Sequence, residues 1–200
     1  MHAATRTRLA RASFNLPTLR VSRDLLGKFI VRRHRGRELA AMITETEAYK
    51  GPRDRAAHTF GGRRTARVEP LYADGGTAYV YLVYGMHWLL NFSTAGAGTP
   101  EGVLIRAVLA ADDAKPRLVS GPGRVTAYLQ IDRKLDHVDV TQSALMWLED
   151  RGIRVPPKRI MTGPRVGIDY AGAYWSARRW RFWIDSPADL SDAVRAVCRT

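Results

Sequence analysis

The alternation of apolar and polar positions divides the chain into short elements. Residues 18–26 read as a short helix stopped by Gly27, the residue type best suited to a left-handed helix end. Residues 29–33 read as a strand, the segment Arg35-Gly36-Arg37-Glu38 has turn composition, and 39–49 is a second, β-branched alternating run. Together they predict a hairpin. If its second strand is regular, Glu45, Glu47 and Tyr49 share one face. Residues 50–76 are rich in Gly, Pro and Arg with little periodicity, predicting a long surface loop with at most one helical turn, at 54–58. Strands at 77–84 and 88–93 flank Gly85-Met86-His87, and 103–108 is a further apolar strand. Helices are expected at 123–129, 142–149 and 190–198, and a strand at 180–184. Strands that follow one another as hairpins, without regular βαβ alternation, predict an α+β fold. The expectation is a single compact domain with a mostly antiparallel curved β-sheet, flanking helices and a protruding β-hairpin.

Charge narrows the class of partner. In 200 residues, 32 Lys and Arg face 19 Asp and Glu, a formal charge of +13 and a pI near 10.5. That favours a polyanion, most simply nucleic acid. An anionic membrane would suit the charge, but there is no 18-residue apolar run and no long basic amphipathic helix. The first acidic residue is Asp24, so the start of the chain superficially resembles an Arg-rich transit peptide, yet it has no apolar core of a secretory signal. Residues 1–12 are expected to be a flexible basic arm, either a solvated tail or one that touches phosphate, and 13–200 the folded domain. Cys198 is the sole cysteine, which excludes internal disulfides and thiolate metal clusters and suggests a reducing, cytoplasmic setting. The five histidines show no i, i+4 pair and no HExxH, so neither a metal nor a cofactor is expected.

Two segments could carry chemistry. In Glu45-Thr46-Glu47-Ala48-Tyr49-Lys50-Gly51-Pro52, two carboxylates and a tyrosine alternate before a turn. A carboxylate near apolar rings and another acid can have its pKa raised into the range of a general base. The plainer reading is surface acids on a half-exposed strand. In the second segment Tyr79, Tyr81 and Tyr84 lead into a hairpin tip. Such aromatics can stack on bases, although core packing is the better account of Tyr79. Arg53, Arg55, Arg63, Arg64, Arg67 and Arg124 form a basic set suited to phosphate oxygens or to plain solvation. Arg106 interrupts the apolar strand Val103-Leu104-Ile105 and needs an acidic partner if buried. Glu47 is a candidate for it.

At this point the residues resemble the alkyladenine (3-methyladenine) DNA glycosylase family, the group without a helix-hairpin-helix motif. The likeness runs in order through Asp24-Leu25-Leu26-Gly27-Lys28, the Glu45–Pro52 segment, Asp54-Arg55-Ala56-Ala57-His58, Gly62-Arg63-Arg64-Thr65, the Tyr79–His87 segment, Asn91, Val103-Leu104-Ile105-Arg106-Ala107 and Ser120-Gly121-Pro122. It implies Glu47 as the base that activates water, with Arg106 fixing it and keeping it ionised. It also implies Tyr49, His58 and Tyr81 as walls around a flipped purine, Asn91 as a steric gate, and Tyr84 as the wedge in the vacated stack. Arg63, Arg67 and Arg124 are then phosphate contacts. The implied partner is double-stranded DNA containing damaged purines, acted on by a monomer close to the nucleoid. Val68-Glu69-Pro70-Leu71-Tyr72-Ala73-Asp74 departs from the family pattern, as does Leu89, which reads as a structural apolar slot. Two rivals stand beside this reading. A non-catalytic nucleic-acid binder would explain the charge, and a sugar hydrolase would use Glu45 and Glu47, about 7 Å apart by strand geometry, as an acid/base pair. Neutral glycans match the charge poorly.

Overall fold

In the computed structural model, which describes residues 6–110 and 116–198, ten strands join one sheet. They are β1 (Thr7–Arg8), β2 (Phe29–His34), β3 (Arg37–Tyr49), β4 (Ala78–Val83), β5 (His87–Thr94), β6 (Glu101–Ala110), β7 (Arg117–Ser120), β8 (Met146–Asp150), β9 (Ile160–Gly163) and β10 (Arg181–Ile184). The helices are α1 (Thr18–Asp24), α2 (Glu69–Tyr72), α3 (Pro122–Tyr128), α4 (Ala173–Ser176) and α5 (Ser191–Cys198). The strand order is β1-β8-β2-β3-β6-β5-β4, with β10 on β3, β9 on β10 and β7 on β6. Every one of these pairings is antiparallel, so the fold is α+β.

Strand β3 is thirteen residues long and changes partner along one edge. Its first half, through Met42, pairs with β2; Glu45, Thr46 and Glu47 pair with β10; the other edge lies on β6. Phe29, Ile30, Met42, Ile43 and Ile105 of this central region are fully buried, in one cluster with Val21 of α1, Val125 of α3 and Val194 of α5. Burying each such side chain contributes about 1.5–3 kcal/mol. Helix α1 ends at Asp24 with Leu25 as its cap, earlier than the expected 18–26, and Gly27 lies in the turn beyond it: its φ is +83°, its amide donates to Ile43 O at 2.9 Å, and a Cβ there would lie 2.9 Å from Val155 Cγ2.

The structure departs from the sequence pattern in three places. Residues 142–149 do not form a helix. Asp139 and Ser143 take the intervening backbone amides in local turns, and Met146–Asp150 extends as β8 between β1 and β2. The five-residue apolar run Ala144-Leu145-Met146-Trp147-Leu148 satisfies either period, and the unpaired edge of β2 decides. Second, the basic arm expected over 1–12 joins the sheet from Thr7 onward, where β1 pairs with β8 and the Leu9 amide donates to Leu148 O at 2.9 Å. Its first five residues lie outside the described residues. Third, the divergent segment 68–74 is no simple loop. It holds α2, with Val68, Pro70 and Leu71 buried.

Among the described residues no helix is long and apolar enough to cross a membrane, and no group of three or more His, Cys, Asp or Glu side chains could hold a metal ion.

Candidate active site

The partner change of β3 coincides with an irregularity in its pairing with β6. Between Ile43 and Thr46 the register shifts twice, leaving Thr44 on one strand and Arg106 on the other without an opposite residue. Bulges of this kind re-aim side chains. Here the bulge turns Arg106 toward the acids of β3: its Nε lies 3.3 Å from Glu45 Oε1 and 3.4 Å from Glu47 Oε1. Arg181, from β10, meets the same Glu45 oxygen at 3.3 Å. Two guanidinium groups therefore serve two carboxylates.

Glu47 is fully buried. Its Oε1 accepts from the Val166 amide at 2.8 Å, and its Oε2 accepts from the Tyr49 hydroxyl at 2.8 Å. Burial pushes the Glu47 carboxyl above its ordinary value, while Arg106, the Val166 amide and the Tyr49 hydroxyl pull the other way. The result is an acid that takes up a proton more readily than a surface glutamate yet has cations and donors to support its charge. That is the balance a general base requires.

Beside it opens a cavity of about 430 Å³, within the range of small-ligand sites. Tyr49, His58, Tyr81 and Asn91 line it together with Arg106. His58 and Tyr81 meet edge to face at 4.7 Å, and Tyr81 stacks on Tyr79 at 4.9 Å. Tyr79 is itself buried and its hydroxyl shares a 2.8 Å hydrogen bond with His58 Nδ1, so the residue ambiguous in sequence both packs in the core and holds a cavity wall. Asn91 donates to Tyr79 O at 3.3 Å. Leu71 of the divergent segment and Leu89 also line the cavity, which moves both from outlying features to its wall.

Burial and the nearby charges of Arg67 and Arg63 lower the His58 pKa to about 4. Its ring is neutral at physiological pH and so adds no positive charge to that of Arg67 and Arg106, which line the same cavity. The shift also links to stability. Between the ordinary value of 6.5 and about 4, the unfolded chain binds a proton that the folded chain refuses, so stability falls as pH drops through that window. Replacing His58 by Gln is expected to flatten this part of a stability-versus-pH curve measured by urea unfolding.

The arginines separate. Arg67 is solvent-exposed but lines the cavity, its guanidinium 5.3 Å from the Tyr81 ring centroid. Arg63 is exposed close enough to influence His58, and Arg124 is exposed on α3, outside the cavity wall. Tyr84 sits at the tip of the β4–β5 hairpin, 88% exposed, with a left-handed φ of 51°. The tip is Tyr84-Gly85-Met86, one residue earlier than the pattern suggested, because Val83 pairs with His87.

Sequence reading missed the segment after β9. There Arg165 forms a fully buried, two-pronged ion pair with Asp54, at 2.5 and 2.8 Å, and donates to Ala48 O at 3.0 Å. Its guanidinium lies between the rings of Tyr49 at 4.7 Å and Trp180 at 5.0 Å. Val166 follows directly, so this pair places the amide that holds Glu47. The one available signal was Gly163-Pro164-Arg165-Val166-Gly167, a turn-like stretch with an arginine enclosed by apolar residues.

A sequence model of methylpurine-DNA glycosylases matches residues 12–188. The chain belongs to the methylpurine-DNA glycosylase family. Individual relatives agree. A Desulfitobacterium hafniense protein is 39% identical, across 92% of this chain and 98% of its own. A Methanocella arvoryzae protein is 41% identical, across 88% and 91%, and a Bdellovibrio bacteriovorus protein 42%, across 84% and 90%. All three are provisionally named 3-methyladenine DNA glycosylases. Of the methylpurine-DNA glycosylase residues implied by resemblance, the fold gathers Tyr49, His58, Tyr81, Asn91 and Arg106 around one cavity and sets Glu47 beneath its wall.

Proposed function

We propose that this protein is a monofunctional DNA-repair glycosylase that flips an alkylated or deaminated purine out of double-stranded DNA and hydrolyses its N-glycosidic bond, leaving an abasic site. The observation that carries the reading is a buried carboxylate, Glu47, fixed by Arg106, Tyr49 and the Val166 amide beneath an aromatic cavity. Chemistry on a base requires its extrusion, which costs a few kcal/mol and is least costly for damaged or mispaired bases. Stacking on aromatic walls returns about 1–3 kcal/mol per base. Tyr49 on one side and His58 with Tyr81 on the other are the walls, Asn91 is the gate against a purine 2-amino group, and Arg63, Arg67 and Arg124 meet the backbone.

Water, rather than an enzyme amine, is the nucleophile in this reading. The nearest lysine in sequence, Lys50, is directed to Glu101, 3.9 Å away, so no Schiff base with a strand-cleaving step is invoked. Cationic alkylated purines leave as neutral bases, whereas hypoxanthine needs a proton delivered to its ring. The test is release of free base from labelled duplexes carrying 3-methyladenine, 7-methylguanine, ethenoadenine or hypoxanthine. Retention of DNA with no released base from any of the four would instead support a non-catalytic binder.

Tyr84 supplies a separate check. A bulky residue at positive φ is strained, and strain of this kind persists where it serves a site. Tyr84→Gly removes both the strain and the wedge. It is expected to keep or raise thermal stability while lowering excision from duplex DNA by roughly 5- to 100-fold, the equivalent of one lost base stack. Excision from single strands, where no stack has to be held open, should change far less.

A further inference from the structure

Arginines and aromatic rings alternate along the segment after β9 in a ladder that starts at the cavity. The Tyr49 ring lines the cavity and has the Arg165 guanidinium 4.7 Å from its centroid; Arg165 in turn lies 5.0 Å from Trp180. Arg178 rests on Trp180 at 5.8 Å and stands over Tyr174 at 4.1 Å. Tyr174 is 61% exposed, so the ladder runs from the cavity wall to open surface. Trp175 meets Tyr174 edge to face at 5.0 Å and Trp180 at 6.0 Å, which braces the outer end.

The four arginines of 165–181 are not alike. Arg165 pairs with Asp54, Arg179 donates to Thr162 O, and Arg181 meets Glu45. Arg178 has no hydrogen-bonding or acidic partner among the described residues, and its Nε is covered without an acceptor. The one acid between 164 and 180 is Asp169, which is exposed. Arg178 is nevertheless held in place, because a guanidinium over an aromatic face gains about 0.5–1 kcal/mol even at an exposed site. A cation ordered in advance loses less freedom when it meets an anion, and the planar fork of arginine matches a phosphate.

We propose that Arg178, framed by Tyr174 and Trp180, binds a backbone phosphate of the DNA outside the cavity, in addition to the contacts assigned to Arg63, Arg67 and Arg124. This rests on the reading of the ligand as DNA. Val166, Gly167, Ile168 and Tyr170 of the same segment line the cavity, so a strand that delivers a nucleotide there passes this segment. The steps of 4.7, 5.0 and 5.8 Å from Tyr49 to Arg178 keep the contact within about five nucleotides of the cavity, at about 3.4 Å of helix axis per nucleotide.

The experiment measures binding to a lesion-free duplex over a range of salt concentrations, which requires no catalysis. Arg178→Met keeps an unbranched apolar stem between the rings and removes the charge. Its affinity at low salt is expected to fall roughly two- to fivefold, the worth of an exposed ion pair. The slope of log affinity against log salt should become shallower by about 0.9, the loss of one phosphate contact. Arg178→Lys, which keeps the charge, should retain most of the parent's slope. An unaltered slope in Arg178→Met overturns the proposal, as does a loss in Arg178→Lys equal to that in Arg178→Met. So does a fall in the maximal single-turnover rate of base release with binding intact, which would make Arg178 a brace for the cavity wall. A parent that binds with the expected salt dependence and releases no base from any lesion would count against the glycosylase reading alone.

Discussion

Glu47→Gln is expected to reduce base release by at least a hundredfold, and probing DNA by gel shift should show binding to lesion duplexes within a few-fold of the parent. General-base catalysis contributes about 10²–10⁴ in rate. The amide preserves shape, and its one oxygen can accept from either the Val166 amide or the Tyr49 hydroxyl, which now meet different carboxylate oxygens, but its NH2 accepts from neither and it has no basic oxygen to take up a proton. Removing the charge also leaves Arg106 with Glu45 as its remaining carboxylate. Near-normal release by this variant would eliminate Glu47 as the base. The parent should also lose activity on acidification at a pH above the usual carboxylate range, because burial raises the Glu47 pKa and only the ionised form is a base.

The second large effect is structural. Asp54 and Arg165 are both fully buried and bound to each other through two hydrogen bonds. Removing one partner of such a pair leaves an uncompensated charge and costs about 3–5 kcal/mol. Arg165→Met is therefore expected to lower the melting temperature by roughly 6–20 °C for a domain of this size. The double change Asp54→Asn with Arg165→Met should recover part of the loss, since no charge is then stranded. A drop of less than about 1 kcal/mol in Arg165→Met would show that the pair is not buried as described. Activity of the soluble fraction should fall too, because Arg165 precedes Val166, whose amide holds Glu47.

What could be read in sequence, and what could not, follows the range of the interactions. The alternation in β3 and the paired strands around residue 85 are local, and so was the suspicion that Glu47 and Tyr49 share a face. Arg106 was legible as an anomaly, a charge inside an apolar strand. The bulge that aims it was not, because a register shift is a property of two strands. Residues 142–149 failed for the same reason, since the edge of β2 decides their conformation. Arg67 read as part of a basic surface, yet it also borders the cavity over Tyr81. The Arg165 segment lies more than a hundred residues from Ala48, Asp54 and Glu47, to which it is hydrogen-bonded, and has no periodicity to mark it. Its burial exists only once the sheet has formed.

That separation bears on how the protein folds. Glu45 and Arg181 are 136 residues apart, and Val166 is 119 from Glu47, so the surroundings of the carboxylate close very long loops. Contacts of such sequence distance form slowly, because loop-closure entropy is met before they contribute anything. A refolding experiment should therefore see the β2–β3 and β4–β5 hairpins acquire amide-exchange protection early, and the ability to excise a base return last, in step with the docking of β10 onto β3.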